Sequence, residues 1–409
     1  MPEESNIKGN INFAALGMNL ETSLAQQKQG VVTYSLNATI EGFDGQTISY
    51  QNESGNDKCV VFPEGFKVIG RYPIYESNLI VYWLTNPTTG EDEIGWSLID
   101  GCTYFRKAKA DCFNFSVEHP ILQAAHRSST CGLEIFWVDG YNSDRHLEWD
   151  NLPYIEIDNG SVCGNTITDQ IDCNKLKLNP NFTIPQIEII DVDTDGEIQS
   201  GVVQFCIQYA NANGDGYTSY YSVTNTVPLH DPSFITLDFN TVINKSITLL
   251  VKDIDVTGFY DYFNLAAIHT VNGVTTPYLV NTYQINETQE RIIYTGQNKT
   301  QIALNLTEII QKFPIYDKSN IITTANDILI RADLKTTKRI SYQSIANQIK
   351  LQWQTRRLPK TETYANPLNV NKYRSYLRDE VYAFEIVFLL KNGLQTDGFH
   401  IPGRQATLQ

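Results

Sequence analysis

Six histidines are the residues of this chain best suited to acid–base or zinc chemistry, and their spacing points away from both. His119, His126, His146, His230, His269 and His400 are scattered along the sequence. A catalytic zinc needs imidazoles that converge on one tetrahedral ion, as two histidines four apart on a helix do. No pair has that spacing, so they read as surface or strand-end residues. The run Asp191-Val-Asp-Thr-Asp-Gly196 imitates the start of a calcium loop, in which alternate carboxylates wrap a hard cation. Position twelve of that loop, where a bidentate Glu closes the shell, is Val202. An acidic turn is the expectation. The glycines of Ala210–Ser219 (ANANGDGYTS) suit a hairpin loop with positive φ better than a ligand loop. No nucleophile elbow, phosphate loop or dinucleotide fingerprint stands in a strand-to-helix setting, and the acidic residues are spread rather than paired as a glycosidase requires. The sequence therefore predicts no catalytic residue, no cofactor-binding residue and no metal ligand, and so not an enzyme.

Seven cysteines, Cys59, Cys102, Cys112, Cys131, Cys163, Cys173 and Cys206, cannot all pair. A chain this long can bury a core without cross-links, so free structural thiols in a reducing cytosol are expected. Cys102 with Cys112, and Cys163 with Cys173, are each ten apart and could be cross-strand neighbours. Neither pair has the CxxC spacing of a zinc knuckle.

The formal net charge of −15 argues against a protein that grips nucleic acid by its phosphates, since that requires clustered Lys and Arg. An acidic wall is compatible with a conduit through which DNA slides, repelled by like charge. One basic cluster stands out near the carboxyl end: Lys335, Lys338, Arg339, Lys350, Arg356, Arg357 and Lys360, then Lys372, Arg374 and Arg378. It reads as a solvated face or as a contact with an acidic neighbour. The first residues lack a basic stretch leading into an apolar run, and no window approaches eighteen uninterrupted apolar residues, so neither an export signal nor a membrane span is predicted.

With 23 Tyr and 18 Phe against 2 Met, the composition suits half-buried pleated surfaces. Val31–Ile40 and Thr47–Gln51 alternate with period two around a Gly42/Gly45 turn, as an antiparallel meander does. An internal echo follows: Tyr72-Pro-Ile74 precedes Leu79–Thr85, and His119-Pro-Ile121 precedes Leu133–Gly140, with Trp83 and Trp137 54 apart. A repeat near 50 residues carrying a Trp beside a turn marks either propeller-like blades or a plain meander. The polar, turn-rich stretch 153–180 reads as a boundary. Seven strands are then predicted, at 184–192, 201–223, 233–240, 246–254, 263–271, 277–285 and 291–296, the pattern of a fibronectin- or immunoglobulin-like β-sandwich.

Helical signals begin after Gly296, over 306–313 and 342–353. The last segment predicts a hairpin of strands 381–390 and 394–401 around Lys391-Asn392-Gly393. Its hydrophobicity calls for further strands to cover it, which suggests part of a longer polypeptide. The fold class is thus mainly β: a propeller-like or meander domain over 1–155, a linker over 156–180, a fibronectin-like sandwich over 181–297, and helices plus a returning hairpin over 298–409.

Several stretches together resemble the tail muzzle or nozzle proteins of crAss-like phages that infect Bacteroidetes. They are residues 17–56, opening Gly17-Met18-Asn19-Leu20, then 134–154, 324–336, 364–370 and 379–404. The resemblance implies a structural subunit of a short phage tail, made in the bacterial host cytoplasm and carried in the virion. It implies a homo-oligomeric ring, by analogy a hexamer, docked below dodecameric ring or adaptor proteins and near tail fibres. It further implies a gate that holds genome and cargo protein until infection, with DNA passing without sequence-specific contact. The competing reading is a receptor- or glycan-binding module in which exposed Trp83, Trp96 and Trp149 stack on sugar rings. An enzyme acting on capsule would need two convergent carboxylates that the sequence does not offer.

Overall fold

The computed structural model describes residues 19–28, 31, 38–43, 47–52, 59–129, 132–157, 166–230, 241–296, 302–312, 314–336, 340–359, 362–363, 365–373, 376–377 and 379–403. The chain divides into two units, Met1–Val61 with Gly101–Thr103, and Phe62–Asp100 with Tyr104–Gln409. In the first, β1 (Ala38–Phe43) pairs antiparallel with β2 (Thr47–Asn52), and Cys59 is disulfide-bonded to Cys102. Residues 32–37 of the expected first strand lie outside the described residues.

The second unit begins with a four-stranded meander, β3 (Lys67–Ile74), β4 (Leu79–Asn86), β5 (Glu91–Leu98) and β6 (Phe105–Lys109), in sequential order. Leu79-Ile-Val-Tyr-Trp-Leu84 forms an interior strand and is almost wholly buried, which explains why it reads as a continuous apolar run rather than an alternating one. A second meander follows, β7 (Gln123–Ser129), β8 (Gly132–Val138) and β9 (Arg145–Glu148). The two sheets share one core of Ile74, Val81, Trp83, Ile94, Ile135, Trp137 and Leu147. The 54-residue echo has a structural meaning: Trp83 and Trp137 occupy β4 and β8, the second strands of the two meanders. Their ring centroids lie 5.8 Å apart. Within the turn-rich stretch, β10 (Tyr154–Ile157) pairs with β11 (Thr166–Ile171), and Ile171 and Leu176 are buried in the same core.

The next sheets enclose a second core. β12 (Gln186–Asp193), β17 (Ser246–Lys252) and β20 (Glu290–Tyr294) form one sheet in the order β12-β17-β20. Between them in sequence run β13 (Ile198–Gln199), β14 (Gly201–Ala210), β15 (Val227–Leu229), β16 (Val242–Ile243), β18 (Tyr262–Val271) and β19 (Val274–Gln284), followed by β21 (Ile302–Ala303). The opposing sheet has the order β15-β14-β18-β19-β21. Its inward faces (Val203, Phe205, Ile207, Phe263, Leu265) meet Ile247, Leu249, Val251 and Ile292 of the first, the alternation that a two-sheet sandwich requires. β14 ends at Ala210, and residues 211–223 return through isolated bridges rather than as a strand. The expected strand at 233–240 lies outside the described residues.

The C-terminal region differs most from expectation. α1 (Leu306–Ile310) forms where predicted, capped by Asn305, whose side chain accepts from the Thr307 N–H. The helix expected over 342–353 shrinks to α2 (Gln343–Ala346). Its N-cap, Tyr342, makes no side-chain cap, and four residues cannot repay helix nucleation. α3 (Pro367–Lys372) begins at a proline after the capping residue Asn366. Sequence reasoning missed a long hairpin, β22 (Tyr316–Ala325) and β23 (Ile328–Thr336). Its turn residues Asn326 and Asp327 have φ of 49° and 62°, the paired positive values of a two-residue hairpin turn. The last hairpin is present but short, with β24 (Phe384–Ile386) paired to β25 (Phe399–Ile401) and a Leu389–Gln395 bridge near its tip.

Two disulfides, Cys59–Cys102 and Cys112–Cys173, correct the expectation of free thiols. The sequence-near pairs are not the bonded ones. The 3-10 turn Asp111–Phe113 instead carries Cys112 to the segment that follows β11. Cys206 is free and buried. Cys131 and Cys163 lie outside the described residues.

Candidate assembly surfaces

The histidines stay apart, in separate local settings. His126 shares a hydrogen bond between Nδ1 and the Tyr72 hydroxyl (3.0 Å) and contacts Glu76 through Nε2 at 3.2 Å. A hydroxyl–imidazole–carboxylate chain of this kind could in principle activate an oxygen nucleophile. Here burial and the Glu76 charge push the Tyr72 phenol up, so it stays protonated and acts as a strut between β3 and β7. His146 meets Glu134 at 2.7 Å, with Arg127 alongside. His119 stacks on Tyr141. Burial lowers the pKa of His269, which favours its neutral form. The His400 carbonyl accepts from Gln343. His230 is half-buried. Among the described residues no cluster of three His, Cys, Asp or Glu is placed to hold a metal.

The calcium-like run is an acidic turn at the end of β12. The Asp195 and Gly196 N–H groups both donate to Asn244 Oδ1, and Gly196 is required because a Cβ there would lie 1.7 Å from the Lys245 carbonyl oxygen. The 210–219 run is a loop in which Asn211 Oδ1 accepts from the Asn213 and Asp215 N–H groups. Trp83 is fully buried and cannot meet a sugar. Trp96 stacks on Phe105, and Lys107 lies over Trp149.

Of the basic cluster, Lys350, Arg356 and Arg357 are exposed, and Arg356 lies over the Tyr373 ring at 4.5 Å. Lys335 donates to Asn320, and Lys372 is exposed. Lys338, Arg339, Lys360, Arg374 and Arg378 fall outside the described residues.

The side chains that organise this unit come from far apart in sequence. Asp144, just before β9, is fully buried. Its carboxylate accepts from the Ser319 N–H (2.9 Å) and hydroxyl (2.6 Å) and from Arg331 Nε (2.8 Å), and pairs with a second Arg331 nitrogen at 2.6 Å. Burial pushes the Asp144 carboxyl up, against the pull of Ser319 and Arg331. This cluster locks the β22–β23 hairpin to the second meander, where Ile322 and Leu329 pack with Ala125, Phe136 and Val138.

The inward face of the hairpin is thereby accounted for, and its outward face is not. Ile321, Ile328 and Ile330, on the side of the two strands opposite Ile322 and Arg331, are 48%, 65% and 45% exposed. Among the described residues β23 pairs only with β22, which leaves its other edge without a partner strand there. A contiguous aliphatic face on a free-edged hairpin is the kind of surface that another protein covers.

A third feature sits where the last hairpin turns. Gly393, at φ +83°, tucks against Phe182 and Tyr221. Phe182 donates its N–H to the Lys391 carbonyl (2.8 Å), Tyr221 its hydroxyl to the Gly393 carbonyl (2.9 Å), and Asn392 its side-chain amide to Asp317 (3.2 Å). Beside this tip opens a cleft of about 970 Å³ lined by Tyr154, Tyr217, Tyr260, Asp150, Asn151 and Lys175, among others.

A family model described as Crassvirus muzzle protein matches residues 8–347. A curated relative, the muzzle protein of Bacteroides phage crAss001, is 21% identical over 311 residues. That alignment covers 74% of this chain and 21% of the relative, so the chain spans about a fifth of the relative's length.

Proposed function

The chain belongs to the crassvirus muzzle protein family, a family of phage structural proteins, and from that premise we propose that it is a wall subunit of a ring closing the exit of the tail's DNA channel. In this reading identical subunits, six by analogy with other short tails, assemble side by side beneath the ring or adaptor proteins of the tail. The closed ring retains genome and cargo protein until the host is engaged, with tail fibres as neighbours. The net charge of −15 supports a lumen along which DNA slides without adhering. Among the described residues no helix is long and apolar enough to cross a membrane.

The observation that carries the proposal is the bare outward face of β22–β23. An interface patch is strongest at a desolvated aliphatic or aromatic centre, and Ile328 and Ile330 provide such a centre on a hairpin clamped from behind by Asp144. The test is to image the chain by negative stain and weigh it by native mass spectrometry, alone and with the tail rings. Rings are expected. The double variant Ile328→Asp, Ile330→Asp is expected to weaken self-association at least tenfold, about 1.4 kcal/mol, while the melting temperature moves by only a few degrees because both side chains are exposed. Rings from the variant as readily as from the parent would remove this face from the assembly.

A second reading, a glycan-binding tail module, is favoured by the 970 Å³ cleft. Its tyrosines and nearby amide, carboxylate and ammonium groups suit a hydroxylated ring. Binding to a glycan array that is abolished by Tyr217→Ala would support it; a silent array would not.

A further inference from the structure

We propose that the two cysteine pairs are reducible clasps, open in a thiol-rich cytoplasm and closed when the protein meets a disulfide oxidant, and that closing Cys112–Cys173 rigidifies the first core. The proposal does not rest on ring formation. Joined to the muzzle reading, it describes a subunit that assembles in a looser form and stiffens after release.

The argument starts from what Cys112 holds. It lies in the 3-10 turn Asp111–Phe113, between the two meanders. Its neighbours Phe113 and Phe115 are buried and stacked at 5.3 Å. Arg145, itself buried, donates to the Phe113 carbonyl and places its guanidinium over the Phe115 ring. Asp92, also buried, accepts the Phe115 N–H at 2.8 Å. A buried arginine thus takes its hydrogen-bond acceptor from the last residue of the turn, and a buried aspartate takes a donor from the residue two further on; such groups are costly to leave unpaired.

The turn is three residues long and is held by hydrogen bonds at its ends, from Ala110 to Asp92 and from Arg145 to Phe113. Cys173, across a sequence separation of 61, adds the covalent tie. It follows Ile171, which is buried in the same core. Opening the bond frees the turn to leave, and Arg145 then loses its Phe113 carbonyl. Cys59–Cys102 is the more exposed bond, both residues lying open to solvent. It is therefore the first that a small thiol reaches.

The chemistry is thiol–disulfide exchange with a low-molecular-weight disulfide such as oxidised glutathione. One cysteine thiolate attacks a sulfur of the oxidant, forming a mixed disulfide and releasing one small thiolate. The second cysteine thiolate then attacks the protein sulfur of that mixed disulfide, forming the protein S–S bond and releasing the second small thiolate. The protein gives up two electrons and two protons per bond, and the oxidant is reduced to two thiols.

The experiment treats the full chain with a phosphine reductant or with oxidised glutathione, alkylates it natively, and maps the peptides. Cys206 is the internal control. It is buried, with its thiol pushed up to about 12 by burial, so it is modified only in denaturant. After oxidation the 112–173 and 59–102 peptides are expected to be linked, and after reduction all four thiols alkylated. Reduction is also expected to lower the melting temperature by roughly 5–15 °C and to quicken proteolysis within 106–123. The variant Cys112→Ser, Cys173→Ser should match the reduced protein whatever the redox state at that site. Full alkylation of Cys112 and Cys173 after oxidation would overturn the proposal, as would linkage of Cys102 to Cys112. Equal melting and proteolysis in both states would overturn the rigidifying role.

Discussion

Replacing Asp144 with alanine is expected to lower stability by about 3–5 kcal/mol, the cost of breaking a buried ion pair from one side. The carboxylate is fully buried and Arg331 is 18% exposed at the side chain. Removal leaves the Arg331 guanidinium with the Tyr316 carbonyl but without the Asp144 carboxylate, and strands the Ser319 N–H and hydroxyl. Denaturant unfolding measures the loss, and amide exchange locates it: protection should collapse across 316–336 before the sandwich is affected. Asp144→Asn keeps an acceptor for Ser319 and loses only the charge, so about 2 kcal/mol is expected. The double variant Asp144→Ala, Arg331→Met should recover part of the loss, because an apolar pair leaves no orphaned charge. A loss under 1 kcal/mol for Asp144→Ala would show that the hairpin is held by Ile322 and Leu329 alone.

The second large effect is expected at Gly393. A Cβ there would lie 2.4 Å from the Tyr221 hydroxyl oxygen and 2.6 Å from the Phe182 ring. Both partners are buried and hydrogen-bonded to this turn, so neither yields cheaply. The backbone sits at φ +83°, where alanine is strained. Overpacking and strain together amount to about 3 kcal/mol, enough to release the tip. Gly393→Ala is expected to expose Phe182 and Tyr221, seen as altered near-ultraviolet dichroism, and to open 384–401 to protease while the sandwich core stays folded. Near-parental protease resistance would mean that the hairpin is held by β24–β25 and Tyr342 instead.

How much of this was legible depended on whether the signal was local. The β4 run, the strands β18 and β19 and the Gly393 turn are written in contiguous residues, and each reads correctly. The β22–β23 hairpin carries a fainter local signal, Asn326-Asp327 between the runs 321–324 and 328–330, both rich in β-branched residues. Asn-Asp is a weaker turn signal than Asn-Gly, so the pattern does not by itself mark a hairpin. The clusters that matter most were not legible. Asp144 finds Arg331 187 residues away, Tyr221 finds Gly393 172 away, and Cys112 finds Cys173 rather than the nearer Cys102. Nothing in one sequence marks which Asp among 46 acidic residues is the buried one. The family was legible because its stretches lie along the chain as words, whereas a contact between distant residues leaves no word to read.

The Asp144–Arg331 lock also sets a clock on synthesis. At roughly 5–20 residues per second, a ribosome that has made Asp144 needs about 10–40 s more to deliver Arg331. Throughout that wait the nascent meanders carry an uncompensated carboxylate and an uncovered apolar strip at Ala125, Phe136 and Val138. Chaperone engagement should therefore peak on ribosome-bound chains that stop between these two residues, and subside once the hairpin has emerged.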